Sequence, residues 1–341
     1  MDRMKSKEIK GMGSLALGNS ILAPDKSVSN DFIENFMVRW DNNKLCIIEA
    51  AMKKLNTILA FTPVIFLFVV SGCFNDPVTT IDSFDEVSIS FDNEGEGEPA
   101  IILIHGWANN REIWDAQVSH FSENYQVIAV DLPGFGKSGN NRDDWSIQSF
   151  GNDISMILKH LKLDKAVLVG FSLGGPIAIE AAVESPDQVI GVVLVDALHD
   201  VALQYPPPVA HYIDSIMMDL VTDPTQEKLL GSGFFKKNID SAFVRILTML
   251  EGTSRVGWRE TLAGMARWKN ENCFNSIQAV KSPIIAINSD MQPTKVETFK
   301  KYAPTFDVKI VEDVGHLIMW DNTKKFNQLL EESILELMTE K

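Results

Sequence analysis

The sequence has little of what several function classes require. Its 341 residues include three cysteines, Cys46, Cys73 and Cys273, and no two of them stand in CxxC spacing. This excludes a disulfide-stapled scaffold and argues against a zinc ribbon or a thioredoxin-type redox site. Positive charge is also scarce, because 31 Lys and Arg against 46 Asp and Glu give a formal net charge of −15. A nucleic-acid-binding protein normally carries a basic face, so the charge balance argues against that class.

Motifs for metal ions and nucleotides are missing as well. No HExxH pair and no carboxylate cluster occurs, and Gly134-Phe135-Gly136 lacks the rest of a dinucleotide-binding fingerprint. Cys273 is more typical of a small core residue than of a nucleophile. We therefore expect no metal site and no cofactor.

The most apolar stretch is too short to span a bilayer. Residues 58–70 form a run of 13, whereas a membrane-spanning helix needs about 20. The run follows two lysines, at 53 and 54, and precedes the tetrapeptide VSGC at 70–73. A basic segment, an apolar segment and small residues in this order are typical of a signal peptide. The tetrapeptide resembles a bacterial lipobox, which implies that Cys73 is lipidated and becomes the mature N-terminus.

This interpretation divides the chain into four parts. Residues 1–51 are predicted to be a non-native upstream extension, since Met52 would be the true start. Residues 52–72 are the predicted lipoprotein signal peptide, residues 73–86 an acidic tether, and residues 87–341 one folded domain. We expect a lipid anchor outside the cytoplasm, on the periplasmic side or in the outer membrane of a bacterium.

The domain has the pattern of an α/β fold. Apolar runs, typical of strands buried on both faces of a parallel sheet, occur at 101–104, 127–130, 166–169, 189–195 and 284–287, and residues 308–311 are predicted to be a late strand. Stretches with helical periodicity alternate with these runs, which predicts a doubly wound, mostly parallel sheet. Residues 198–270 lack such runs and are predicted to be a helical cap over the carboxyl edge of the sheet.

The motif G-x-S-x-G stands between a predicted strand and a predicted helix. Gly170, Ser172 and Gly174 occupy its fixed positions, directly after the strand at 166–169. In that context the motif predicts a tight turn that exposes a nucleophilic serine, with glycines where side chains would clash. The N–H of Leu173 would then face a developing oxyanion.

Two further loops follow predicted strands. His105-Gly106-Trp107 ends the strand at 101–104, and the Trp107 N–H is predicted to give the second oxyanion donor, while His105 is expected to hold the loop. The segment that begins at Asp131 is given a scaffolding role only. His316 follows the last strand, where a general base is needed, and a histidine side chain suits proton transfer at neutral pH.

Five short motifs occur in order: HGW at 105–107, DLPGFGKS at 131–138, GFSLGG at 170–175, NSD at 288–290 and VGH at 314–316. Together they resemble the α/β-hydrolase superfamily, in its branch with a helical cap. The acid of the implied triad has two candidates at strand ends, Asp290 and Asp196. Asp290 is preferred because it gives the chain order Ser–Asp–His across the last strands, and Asp196 would then brace the cap or the site wall.

The resemblance implies a serine hydrolase that cleaves a carboxylic ester or related acyl compound through Ser172, His316 and Asp290. Cofactor-free haloperoxidase-like or C–C bond hydrolase chemistry uses similar triads and stays an alternative, as does a non-enzymatic envelope binding protein. Aromatic residues of the cap suggest a hydrophobic small-molecule substrate, or else form the cap's own core: Tyr205, Tyr212, Phe234, Phe235, Trp258 and Trp268. We expect no nucleic-acid partner.

Overall fold

The computed structural model describes residues 79–237, 239–251, 255 and 257–339. The predicted extension at 1–51, the predicted signal peptide at 52–72 and Cys73 lie outside the described residues. In the part of the chain that is described, no helix is both long enough and apolar enough to cross a membrane.

Eight strands form one sheet. They are β1 (Thr79–Asp82), β2 (Ser88–Glu94), β3 (Ala100–Ile104), β4 (Val127–Val130), β5 (Ala166–Phe171), β6 (Val189–Val195), β7 (Ile284–Ser289) and β8 (Asp307–Val311). Their order across the sheet is β1-β2-β4-β3-β5-β6-β7-β8. β1 and β2 pair antiparallel with their neighbours, and all other pairs are parallel. The predicted doubly wound, mostly parallel sheet is confirmed.

The register brings the carboxyl ends of the central strands to one edge. Phe171 of β5 pairs with Val195 of β6, and Val195 pairs with Ile287 of β7. All residues of β3, β4, β5 and β7 are buried, as their apolar sequences predict. Residues that directly follow β5, β6 and β7 therefore meet at this edge.

The folded domain begins earlier in the chain than predicted. Residues 79–82 were expected in the tether, but they form β1 and pair with β2 from Thr79↔Phe91 to Asp82↔Ser88. Ile81 supplies the physical reason, because its side chain is buried in the domain core. The folded domain therefore begins at or before residue 79.

Helices flank the sheet or form the segment between β6 and β7. They are α1 (Asp115–Phe121), α2 (Ile147–His160), α3 (Gly174–Glu184), α4 (Pro207–Thr222), α5 (Gln226–Gly231), α6 (Ile239–Glu251), α7 (Trp258–Glu271), α8 (Cys273–Ala279), α9 (Val296–Lys300), α10 (Ile318–Asp321) and α11 (Thr323–Thr339), with a 3-10 helix at Arg111–Trp114. α2 begins at a capped end, where Ser146 Oγ accepts from the N–H of Ser149 at 3.1 Å. Its residues Ile154 and Ile157, one helical turn apart, are both fully buried.

In the described residues of the predicted cap, helices are the only regular secondary structure. Between β6 and β7 the described chain forms α4 to α8 and contains no strand. The Trp258 indole is buried and lies parallel to the Phe135 ring, with centroids 6.3 Å apart. Of the cap aromatics, Phe235, Trp258 and Trp268 are core residues, whereas Tyr212 is exposed. The interpretation as the cap's own core therefore holds for Phe235, Trp258 and Trp268.

Candidate active site

Ser172 lies in the turn between β5 and α3, in a conformation that most residues avoid. Its φ of 51° lies in the left-handed region, where a non-glycine side chain is strained. A Cβ on Gly170 would overlap the carbonyl of Gly174, and a Cβ on Gly174 would lie 2.5 Å from the Ile104 oxygen. The Ser172 N–H donates to Val195 O at 2.9 Å, which ties the turn to the end of β6. The predicted tight turn and its glycines are thus present.

The partner of His316 is Asp196. Asp196 directly follows β6, and its Oδ2 lies 2.6 Å from His316 Nδ1. Its carboxylate is almost fully buried, and Oδ1 also accepts from the N–H of Ser289 at 2.7 Å. That bond comes from the adjacent strand β7, so the sheet itself fixes the carboxylate. An Asp in this position can hold an imidazole in one tautomer and stabilise its protonated form.

A second histidine also contacts the Asp196 carboxylate. His199 Nε2 lies 3.2 Å from Asp196 Oδ1, and its Nδ1 is 3.5 Å from Thr294 Oγ1. Burial by itself raises the pKa of Asp196, but the hydrogen bonds from His199 and His316 hold this pKa well below its ordinary value. Asp196 is therefore ionised throughout the neutral range.

The predicted contact between Asp290 and His316 is wrong. Asp290 follows β7 as expected, but its carboxylate is 41% exposed and its Oδ1 lies 3.7 Å from Lys236 Nζ. The N–H of Asp313, assisted by the Lys236 charge, lowers the pKa of Asp290. The physical reason is the hydrogen bond from the N–H of Ser289 to the Asp196 carboxylate. This bond holds Asp196, at the end of β6, beside His316. Asp196 had been expected to brace the cap or the site wall.

The loop that carries His316 is held by the cap. The N–H of His316 donates to Gly233 O and the N–H of Leu317 donates to Phe234 O, each at 2.8 Å. The imidazole lies between two rings, with centroid distances of 4.7 Å to Phe171 and 5.7 Å to Phe234. These contacts restrict the imidazole to one orientation.

Asp321 joins the same two segments through its side chain. Its buried carboxylate accepts from the N–H groups of Gly315 at 2.6 Å, Lys236 at 2.7 Å and Lys237 at 2.8 Å. One donor belongs to the histidine loop and two belong to the cap. Because a buried carboxylate needs such donors, the cap segment at 236–237 and the loop at 315–316 depend on each other.

A cavity of about 370 Å³ opens beside these groups. Its lining includes Ser172, Asp196 and His316, so the structure brings these three residues to one space. The rest of the lining is largely apolar and comes mostly from the cap: Leu198, Leu203, Tyr205, Met217, Phe234, Met265 and Met291. Asp290, Trp107 and Leu173 are not among the described residues that line it.

The two predicted oxyanion donors, Leu173 and Trp107, belong to segments that are distant in sequence but in contact in the fold. Leu173 immediately precedes α3, and a Cβ on the next residue, Gly174, would lie 2.9 Å from His105 O. The start of α3 therefore packs directly against the end of β3, where Trp107 follows. The Trp107 indole N–H donates to Trp258 O at 3.0 Å, which anchors this turn to the cap. The oxyanion role of the two backbone N–H groups stays a prediction.

His105 has the loop-holding role expected of it. It is fully buried, its Nε2 accepts from the N–H of Leu132 at 3.0 Å, and its Nδ1 lies 2.7 Å from Gly106 O. This pairing fixes the neutral tautomer with the proton on Nδ1. Burial lowers the pKa of His105 to about 4, against the opposing effect of the Gly106 hydrogen bond.

Asp131 is likewise structural. Its carboxylate accepts from the N–H of Arg111 at 2.7 Å and from the N–H of Lys137 at 2.9 Å, and it pairs with the Arg111 guanidinium at 2.9 Å. A Cβ on Gly136 would overlap this carboxylate, so the turn needs glycine there. The scaffolding role predicted for this segment is confirmed.

Within the described residues, no group of three or more His, Cys, Asp or Glu side chains could hold a metal ion. Cys273 is buried, and burial raises the pKa of its thiol to about 11. A thiol with that pKa is almost entirely protonated at neutral pH, so it is a poor nucleophile. Cys273 is a core residue, as predicted.

Two residues of the site were missed by the sequence analysis, His199 and Asp321. Asp196-x-x-His199, placed directly after a buried strand, was an available signal for a histidine near the carboxyl edge. Asp321 lacked such a signal, because its contacts depend on how the cap folds back. Phe234 was named as a cap aromatic, but its contact with the His316 ring was not foreseen.

Comparisons with known proteins agree with this architecture. Residues 99–231 match the family model described as alpha/beta hydrolase fold. The chain is 25% identical over 264 residues to AB hydrolase superfamily protein YisY of Bacillus subtilis, across 73% of this chain and 96% of that protein. An esterase from Exiguobacterium antarcticum aligns over 76% of this chain and 99% of its own, with a TM-score of 0.66 and 20% identity. A bromoperoxidase from Bacillus anthracis aligns over 76% of this chain and 100% of its own, with a TM-score of 0.62 and 21% identity.

Proposed function

We propose that this chain, which belongs to the α/β-hydrolase superfamily and is an esterase-like hydrolase, cleaves carboxylic esters through an acyl-enzyme formed on Ser172. The proposal is supported above all by one contact, the 2.6 Å separation of His316 Nδ1 and Asp196 Oδ2 beside the cavity that Ser172 lines. A nucleophile, a base and an acid that orients the base are the three parts this chemistry requires.

In the first half-reaction, Ser172 Oγ attacks the ester carbonyl while His316 Nε2 takes the hydroxyl proton. Asp196 accepts from Nδ1, which leaves Nε2 free to act as the base and stabilises the imidazolium that forms. The backbone N–H groups of Leu173 and Trp107 donate to the oxyanion of the tetrahedral intermediate. The intermediate collapses, His316 returns the proton to the departing alkoxide oxygen, and the alcohol leaves.

In the second half-reaction, water replaces the alcohol. His316 takes a proton from the water as it attacks the acyl carbon, and a second tetrahedral intermediate forms over the same two N–H groups. When that intermediate collapses, the proton passes from His316 to Ser172 Oγ. The carboxylic acid departs and Ser172 is regenerated, so the cycle consumes one water and needs no cofactor.

The substrate we propose is a small ester with an apolar acyl or alcohol group. The wall of the catalytic cavity is mostly apolar, and three of its residues are methionines, Met217, Met265 and Met291. Methionine side chains are unbranched and adapt to ligands of different shape. The relation to an esterase from Exiguobacterium antarcticum also favours an ester over other acyl compounds.

The test is hydrolysis of p-nitrophenyl esters, from acetate to dodecanoate, by wild type and by Ser172→Ala. We expect turnover by wild type and a loss on the order of 10⁶ in kcat for the variant. Ser232→Ala is the matched control, because Ser232 lines the same cavity and its hydroxyl donates to Leu229 O. Equal activity of wild type and Ser172→Ala would overturn the proposal.

Cofactor-free haloperoxidase-like chemistry is the second candidate, favoured by the likeness to a bromoperoxidase from Bacillus anthracis. It would make use of the same serine and histidine. The measurement is bromination of phenol red by hydrogen peroxide and bromide in acetate, since Ser172 can activate peroxide only through an acetyl ester that peroxide cleaves to peracetic acid. Ser172→Ala is the control. If wild type brominates in a Ser172-dependent way and cleaves no ester, the second candidate replaces the first.

We also propose that the protein is anchored to a bacterial membrane by lipid on Cys73 and works outside the cytoplasm. This rests on the sequence alone: two lysines, 13 residues of an apolar run, and the VSGC tetrapeptide ending at Cys73. One acyl chain gives only marginal membrane binding, so stable anchoring would need at least two chains at this cysteine.

A further inference from the structure

A second cavity lies in the cap, between helices α4 and α7. Its volume is about 310 Å³. Its walls include aliphatic and small residues from both helices, Ala210, Ile213, Leu262, Ala263 and Ala266. A cavity of this size and composition is within the range that binds small apolar ligands.

The two cavities share two lining residues. Tyr205 and Met265 belong to the walls of both the catalytic cavity and the cap cavity, so they form the partition between them. The Tyr205 backbone is fixed, because its N–H donates to Asn270 Oδ1 at 2.7 Å and its carbonyl accepts from Asn270 Nδ2 at 2.9 Å. Met265, in contrast, is an unbranched side chain with three rotatable bonds and can move aside.

Two charged residues of the cap cavity, Arg259 and Asp214, form an ion pair with each other. Arg259 Nη1 lies 2.9 Å from Asp214 Oδ2, which links α7 to α4. The Arg259 side chain is 62% exposed, so this pair lies on the solvent side of the cavity. The two charges offset each other, and apart from the exposed His211 imidazole the wall that remains is uncharged and suits a neutral hydrocarbon chain.

From these contacts we infer that the cap cavity is a subsite for the unbranched aliphatic chain of the substrate, which reaches it from Ser172 past Tyr205 and Met265. This inference rests on the proposed ester hydrolysis for its substrate class. It predicts a preference for medium and long chains, because a chain that crosses the partition buries additional methylenes. Each buried methylene contributes about a fourfold gain in affinity.

The test fills the cap cavity without touching the catalytic one. Ala266 lines only the cap cavity, so Ala266→Phe should leave kcat/KM for p-nitrophenyl acetate within about twofold while lowering it at least about tenfold for the dodecanoate. Ala202→Phe is the matched control, because Ala202 is exposed and lines neither cavity. A parallel series of n-alkyl acetates, followed by acid release, distinguishes an acyl chain from an alcohol chain.

A binding measurement separates this inference from the proposed function. Ser172→Ala is titrated calorimetrically with n-alkanoates and n-alkanols of 4 to 12 carbons, in steps of about two carbons. The affinities should rise with chain length. The double variant with Ala266→Phe should lose that rise. If no ester is turned over but the length-dependent binding is present and is lost with Ala266→Phe, the subsite stands and the proposed function falls. If Ala266→Phe lowers the affinity equally for all chain lengths, or lowers it for none, the subsite inference is overturned. This holds even when ester hydrolysis is confirmed.

Discussion

His316 Nδ1 lies 2.6 Å from Asp196 Oδ2, so the acidic partner of this histidine comes from the end of β6. The expected donor of that carboxylate was the end of β7, where Asp290 instead faces Lys236 and solvent. Both assignments keep the order Ser–Asp–His along the chain, so chain order could not distinguish them. The hydrogen bonds do distinguish them, because the N–H of Ser289 on β7 holds the Asp196 carboxylate beside His316.

Asp196→Asn is predicted to reduce activity far more than Asp290→Asn. An amide at position 196 can hold His316 in the wrong tautomer, which costs on the order of 10⁴ in kcat. Asp290→Asn changes an exposed group and should leave kcat within about twofold. Steady-state kinetics on one p-nitrophenyl ester compares the two, with melting temperatures to verify that both variants fold. The opposite ranking would return the acid role to Asp290.

Much of the fold follows from local sequence. The runs at 127–130 and 189–195 are strands with the predicted bounds, because strands buried on both faces need uninterrupted apolar residues. The turn at Ser172 was equally predictable, since Gly170 and Gly174 are required by close backbone approach. The choice between Asp196 and Asp290 was not, because it depends on the N–H of Ser289 from the neighbouring strand. The same holds for Asp321, whose three partners are distant in sequence or lie in an irregular loop.

Asp321→Ala is predicted to weaken both the fold and the site. The substitution removes three charge-assisted hydrogen bonds and leaves the N–H groups of Gly315, Lys236 and Lys237 unpaired. We expect the free energy of unfolding to fall by about 3–5 kcal/mol. Activity should also fall at temperatures where the variant is folded, because the loop of His316 loses its tie to the cap. Urea denaturation and kcat at low temperature measure the two effects.

Asp313→Asn is the matched control for that variant, because residue 313 has a φ of 55°, which asparagine adopts more readily than alanine. Asp313 lies in the same loop, but its carboxylate is 78% exposed and pairs with Lys237 Nζ at 3.2 Å. An exposed pair of this kind contributes at most about 1 kcal/mol. Equal destabilisation by the two substitutions would contradict the role given to Asp321.

The stability of the protein is predicted to depend on His105 between pH 6.5 and 4. The pKa of His105 is about 4 in the folded state, against an ordinary value of 6.5. Within this window the unfolded chain binds a proton at His105 that the folded chain does not, so stability rises with pH. Acidification from pH 6.5 to 4 should lower the free energy of unfolding by about 3 kcal/mol through His105. Above pH 6.5 this group should contribute no pH dependence.

Urea denaturation at several pH values measures this dependence in wild type and in His105→Gln. The variant should be less stable at pH 7.5, because it loses a buried hydrogen-bonding ring, and its stability should change less between pH 6.5 and 4. His160→Gln, at an exposed position on α2, should keep the slope of wild type. An unchanged slope in His105→Gln would refute the assignment of this titration.

Cys73→Ser is predicted to abolish lipid anchoring in a bacterial host that processes lipoproteins. Wild type should be recovered in the membrane fraction with a mass that corresponds to a lipidated chain beginning at residue 73. The variant lacks the thiol that forms the thioether and should remain unprocessed. A soluble wild-type product that retains residues 1–72 would contradict the proposal, and it would leave the catalytic account untouched.

Covalent labelling of the nucleophile tests whether Ser172, His316 and Asp196 act together. The protein is incubated with a fluorophosphonate, and the adduct is located by intact mass and peptide mapping. We expect one adduct, on Ser172, no labelling of Ser172→Ala, and slow labelling of Asp196→Asn because His316 is then poorly oriented. An adduct on another residue, or labelling of Asp196→Asn at the rate of wild type, would contradict the assignment of Ser172, His316 and Asp196 as one catalytic unit.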